Sequence, residues 1–78
     1  MTIKEAATRV LGENRAPMRT RVIWAAISRA GYYKGSGRTP YRTLTAVLYT
    51  DIRRYGSKST FVRRGFGLYG LRGQKHDD

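Results

Sequence analysis

Three short amphipathic segments, each followed by a glycine, and then two β-forming runs on either side of Gly65-Phe66-Gly67 predict an α+β domain. That order, three helices and then a C-terminal β-hairpin, with an extended scrap between the first two helices, is that of a winged helix-turn-helix, in which the hairpin is the wing. A three-helix bundle with a disordered tail is the competing arrangement, and the patterning weighs against it.

The elements follow in order. Thr2 with Glu5 three residues on makes a capping box, and Ile3, Ala6, Ala7, Val10 and Leu11 then fall on one helical stripe, with Gly12 as the expected stop. Glu13 to Arg19 lacks a helical period, and Pro17 restricts Ala16 to extended geometry, so a very short strand is expected over Ala16 to Met18. Thr20 is the expected cap of a second helix carrying Val22, Ile23, Ala26, Ile27 and Ala30 on its apolar stripe, with Trp24 at the edge and Gly31 as a left-handed cap. Tyr32 to Arg38 reads as a solvated basic loop. Thr39-Pro40 starts a third helix that runs to Tyr55 and stops at Gly56, because proline's fixed φ suits the first helical position. At 100° per residue, Leu44, Val47, Leu48, Ile52 and Tyr55 share one side of it, while Arg42, Ala46, Tyr49, Thr50 and Arg53 occupy the other. Ser59 to Arg64 and Leu68 to Arg72 then form the hairpin strands around the Gly65-Phe66-Gly67 turn. Residues 1–72 are read as a single domain and 73–78 as a disordered tail.

Composition bounds the chemistry. At 78 residues and 8.9 kDa the chain supports one modest core. With no Cys and one His, His76 in the polar tail, neither a disulfide frame nor a thiolate metal site is available, and no metal or cofactor is expected. No run approaches the roughly 18 apolar residues of a membrane span, and the first ten residues lack a signal-peptide core, so a soluble intracellular protein of cytoplasm, nucleoid or nucleus is expected. A 40% hydrophobic content suits a folded domain, and 16 Lys and Arg against 5 Asp and Glu give a net charge of +11. A compact domain that tolerates such self-repulsion points to a polyanionic partner, nucleic acid before an anionic membrane or an acidic protein.

Catalysis finds no support in the residues. Gly65-Phe66-Gly67-Leu68-Tyr69-Gly70 matches G-x-G-x-x-G, but a dinucleotide site needs that run to open a helix within a strand-helix-strand unit, and here a strand follows. The carboxylates Glu5, Glu13, Asp51, Asp77 and Asp78 are scattered, with Asp51 expected to be held ionised by its arginine neighbours. No acid-base pair or nucleophile-base couple assembles, so an enzyme is not expected.

The candidate interface lies elsewhere. On the outer side of the third helix, Arg42 and Arg53 can bond a guanine edge or grip phosphate, beside small Thr43, Thr45 and Ala46 that permit close approach. Tyr49 either bonds phosphate or covers the wing. Arg38 and Thr39 stand beside the positive dipole end of that helix, where a phosphate is expected to bind, although Thr39 is fully explained as a cap. In the wing, Arg63 and Arg64 precede the turn and can follow the backbone or enter a narrow minor groove. Phe66 is expected to fold back over the core, while Lys34 and Lys58 add diffuse attraction. Tyr32 and Tyr33 are expected to pack under the loop, stacking on single-stranded bases being the minor alternative.

The stretches TIKEAATRVL, PMRTRVIWAAI, LTAVLYTDIRRYGS and FVRRGFGLYGLR together resemble the HARE-HTH domain, the winged-helix module of Asx-like chromatin proteins, homeobox-containing proteins, restriction endonucleases and the delta subunit of bacterial RNA polymerase. The resemblance spans Thr2 to Arg72, most specifically Leu48 to Arg54 and Gly67 to Leu71. It implies a winged helix that binds DNA, often as one module of a larger protein, and is equally compatible with a free-standing member and with a module excised from a longer chain. The expected function is therefore that of a non-enzymatic, monomeric binder of double-stranded DNA in transcription or chromatin-type regulation. It places the third helix in the major groove and the wing on the backbone. The alternatives are a module docking on an acidic partner such as RNA polymerase, and a binder of RNA or single strands through Tyr32, Tyr33 and Phe66.

Overall fold

The computed structural model describes residues 2–33 and 40–73, the side chain of Pro40 excepted. Helix α1 spans Ile3–Asn14, strand β1 Met18–Arg19, helix α2 Thr20–Ala30, helix α3 Pro40–Tyr55, strand β2 Phe61–Gly65 and strand β3 Leu68–Leu71, with a single 3-10 turn at Gly56–Lys58 after α3. This is three helices with a small antiparallel sheet, the α+β winged helix-turn-helix expected of the sequence.

The capping box forms as the pattern requires: the Glu5 N–H donates to Thr2 Oγ1 at 3.1 Å and the Thr2 N–H donates to Glu5 Oε1 at 2.9 Å. The helix does not stop at Gly12. It continues through Asn14 and closes at Arg15, whose left-handed backbone (φ 59°) lets its N–H donate to the Leu11 carbonyl at 3.0 Å. A glycine weakens a helix interior by only about 1 kcal/mol, which packing overrides. At the start of α2 the cap position is Arg19 rather than Thr20, and no side chain caps it. Gly31, at φ 71°, ends that helix as predicted, its N–H reaching the Ser28 carbonyl.

The extended scrap begins two residues later than expected and ends one later, on Met18 and Arg19, because it is pulled into a sheet of order β1-β3-β2. Met18 pairs with Tyr69 and Arg19 with Leu68, while on the other edge Phe61 pairs with Leu71 and Arg63 with Tyr69. The pairing then shifts so that Gly65 opposes Leu68, which leaves Arg64 as the extra residue of a β-bulge.

Every element feeds one core: Ala6, Ala7, Val10 and Leu11 from α1, Ile23 and Ile27 from α2, Leu44 and Leu48 from α3, and Met18, Phe61 and Tyr69 from the sheet. Phe61 is the largest side chain buried completely, and removing such a ring costs about 3–5 kcal/mol, a large share of what so small a domain can hold. Trp24 and Tyr33 meet edge to face, ring centres 6.1 Å apart, over the partly buried margin of this core.

Four placements depart from the helical-stripe reading, one of them Ala30, which is exposed at the end of α2. Val22 is 53% exposed, since Ile23 and Ile27, with the partly buried Trp24 and Ala26, occupy the inner face of α2. Tyr55 is half exposed, its ring flanked by the Lys4 ammonium and the Arg54 guanidinium at 5.5 and 5.6 Å. Asp51 is buried among the apolar residues of α3 and is held by groups far from it in sequence. Its Oδ1 pairs with the Lys4 ammonium at 2.8 Å, and its Oδ2 accepts from the Ser59 hydroxyl at 2.6 Å. The arginines expected to keep it ionised take no part.

Candidate nucleic-acid interface

Leu44, Leu48 and Asp51 turn α3 inward, and the opposite side of the helix is open. Arg42, Ala46, Tyr49, Thr50 and Arg53 are all exposed there, Tyr49 at 51%, and neither strand of the hairpin covers them. Tyr49 keeps about half of its surface open to solvent. Its hydroxyl accepts a long 3.4 Å bond from Arg53 Nη1 one turn on, which joins the two side chains on the outer face. Thr45 departs from the expected set. It is half-buried a quarter-turn away from the outer line, and its hydroxyl donates to the Tyr41 carbonyl at 2.9 Å.

Beside the outer face, α3 and the start of α1 border a groove of about 430 Å³ lined by Thr43, Ala46, Val47, Thr50 and Tyr55, with Arg54 beside the Lys4–Asp51 ion pair. On the other side, the Arg21 guanidinium of α2 lies 5.2 Å from the centre of the Tyr41 ring. Hydrogen bonds from Arg21 and then Arg42 hold the Tyr41 phenol below its ordinary value, with their positive charge adding to the effect. Arg21 and Arg42, both acting on this phenol, bring positive charge together where α2 meets α3.

The wing carries the second cluster. Burial falls along β2 from Phe61 to the exposed Arg63, Arg64 and Gly65, so the hairpin leaves the body of the domain as it approaches its turn. Arg63 Nε donates to the Gly65 carbonyl at 3.2 Å, and Arg19 Nη1 donates to the Phe66 carbonyl at 3.1 Å. Phe66 does not fold back over the core as expected; it is 87% exposed, because Phe61 and Tyr69 already fill the space beneath the sheet. Lys58 is exposed on the 3-10 turn. Arg38, Thr39 and Lys34 lie outside the described residues, as does the expected phosphate contact at the start of α3.

Acidic groups among the described residues do not answer these cations. Among the described residues, Glu5 is committed to the α1 cap, and Asp51 to Lys4 and Ser59. Glu13 accepts from the Tyr32 hydroxyl at 2.7 and 2.9 Å and pairs loosely with Arg9 at 3.8 Å. Arg42, Arg53, Arg63 and Arg64 thus have no carboxylate partner among the described residues, and their charge stands open to solvent. Tyr32 is engaged in that contact, with Arg9 4.9 Å from its ring centre, and Tyr33 meets Trp24, whereas the loop under which both are expected to pack lies outside the described residues.

Sequence reasoning missed Arg19 and Arg21. Both precede or open α2 and read as ordinary solvated charges until β1 is paired with β3 and α2 is laid against α3. Their signal was present only as the basic spacing Arg19-Thr20-Arg21.

The model of the HARE-HTH family, the HTH domain of ASXL and restriction endonuclease among others, matches residues 1–74 of this chain. No curated protein and no solved structure matches it.

Proposed function

The chain belongs to the HARE-HTH family, whose helix-turn-helix domains are assigned to DNA binding, and from that premise we propose that it is a non-enzymatic module for double-stranded DNA. Its third helix enters the major groove and its wing lies on the flanking backbone, in a role in transcription or chromatin-type regulation. The observation that carries this reading is the outward side of α3: Arg42, Ala46, Tyr49 and Arg53 uncovered by the hairpin and without a carboxylate partner among the described residues. A helix bearing two arginines around one small residue suits a groove about 12 Å wide, where arginine can take the O6 and N7 of guanine together. Arg63 and Arg64 on the wing, and Arg19 and Arg21 beside α2, are placed to take phosphates, which supply most of the affinity and the register but no sequence information. Thr45 bonds its own helix and acts as a spacer, whereas Arg38 and Thr39 keep the phosphate role expected at the start of α3. The binding unit is a monomer.

The test is a fluorescence-anisotropy titration of the chain against labelled duplex DNA, single-stranded DNA and RNA at two salt concentrations. Duplex preference that weakens steeply with salt supports the reading. Preference for single strands or RNA refutes it, and negligible binding to all three refutes it in favour of a module docking on an acidic protein such as RNA polymerase.

A further inference from the structure

Phe66 stands at the turn of the hairpin, 87% exposed and outside the core cluster. The tip is nevertheless well held. Gly67 adopts φ 66°, the left-handed geometry this two-residue turn needs. The two carbonyls at the tip accept from arginines, that of Phe66 from Arg19 and that of Gly65 from Arg63, and the Arg63 guanidinium also lies 5.7 Å from the centre of the Phe66 ring. Arg64, bulged out of the ladder, adds a third guanidinium without a carboxylate partner among the described residues. The exposed ring is poorly suited to water, and its collar of arginines is poorly suited to a second copy of this chain, which would bring two such collars into contact.

We propose that the hairpin tip is a wedge for duplex DNA: the Phe66 ring enters between base pairs from the minor groove, with Arg63 and Arg64 on the flanking phosphates and Arg19 bracing the turn. The inference rests on the DNA-binding reading above and adds a deformation to it. A minor groove about 6 Å wide excludes a helix but admits a ring and a guanidinium, and an apolar side chain inserted at a base step unstacks it and kinks the duplex toward the major groove. The apolar stack receives the ring and the phosphates receive the collar, so the ligand matches both chemistries of the tip. Bases at a flexible pyrimidine-purine step open most easily, and sequence preference would arise there without any hydrogen bond to a base edge.

The experiment uses the whole chain and a mixed-sequence duplex carrying a fluorophore pair at its ends and 2-aminopurine within it, titrated to saturation at low salt. The wild type is expected to brighten 2-aminopurine and to bring the ends closer. Phe66→Ala is expected to lose both signals while still saturating the duplex, with an affinity about tenfold lower, equivalent to roughly 1.4 kcal/mol. Phe66→Leu, which keeps an apolar wedge, is expected to retain them. Because the ring touches no core residue, the melting temperature of either variant should match the wild type and exclude a folding defect. A wild type that binds the duplex without distorting it, or a Phe66→Ala complex as distorted as the wild type, overturns the wedge alone. A wild type that does not bind the duplex overturns the reading beneath it as well.

Discussion

Removing Arg42 and Arg53 together tests the orientation of α3 most directly, because salt dependence counts phosphates. Arg42 and Arg53 on the outer face, Arg63 and Arg64 on the wing, and Arg19 and Arg21 beside α2 make six guanidiniums clear of carboxylates among the described residues. If each neutralises one phosphate, counterion release gives a slope of about −5 in log K against log salt, or roughly a thousandfold loss of affinity between about 50 and 200 mM. Arg42→Ala/Arg53→Ala leaves four contacts and a slope of about −3.6, so that the same salt step costs only about 150-fold. The control is Arg9→Ala: that guanidinium lies on α1 against Glu13 and the Tyr32 ring, its charge already answered, and the slope should hold. Anisotropy titrations on a single duplex at four or so salt concentrations measure all three proteins. Where either α3 arginine also reads a guanine, preferred sites lose a further 1–3 kcal/mol or so beyond the electrostatic change. An unchanged slope in the double variant, or an equal drop in Arg9→Ala, refutes the assignment of the outer face of α3 to DNA.

Two further outcomes follow from groups whose protons the fold perturbs. Burial by itself would raise the Asp51 carboxyl, but hydrogen bonds from Lys4 and Ser59, the Lys4 charge and the Thr60 N–H together hold it below the ordinary value. A carboxyl lowered in the folded state adds stability that is present above its unfolded value near 3.9 and is lost as pH falls through the lower folded value. Asp51→Asn should therefore lose about 1–2 kcal/mol at neutral pH and show a shallower acid limb in urea melts between about pH 7 and pH 2, the capped Glu5 supplying what remains; an acid limb as steep as the wild type's would contradict the role given to Asp51. For Tyr41, ultraviolet titration should find one phenol ionising below the rest, and Arg21→Ala should move it back toward the ordinary value further than Arg42→Ala, since Arg21 is the stronger influence. A spectrum in which all tyrosines titrate together would remove the positive focus assigned to the junction of α2 and α3.

Much of what the sequence made legible was governed by neighbours within a few residues, although the stop at Gly12 and the cap at Thr20, equally local, did not form. The Thr2 and Glu5 capping box, the left-handed cap at Gly31, the turn at Phe66-Gly67 and the inward line of Leu44 and Leu48 depend on local geometry and helical period, and each forms as its pattern requires. The exposed Arg42, Ala46, Tyr49 and Arg53 follow from the same period once the opposite face is buried.

Tertiary structure alone decided which surfaces met. Asp51 reads as one more charge on a basic helix until α1 brings Lys4 and the segment after α3 brings Ser59 to its two oxygens, 47 and 8 residues away. Arg19 becomes part of the wing only when β1 pairs with β3, a contact across 47 residues to the Phe66 carbonyl. Whether Phe66 tops the core or projects from it depended on how much volume Phe61 and Tyr69 had already filled. Helix periods and turn residues respond to the backbone next to them, whereas burial of a charge or exposure of a ring is set by competition for a shared interior, and no single segment contains that information.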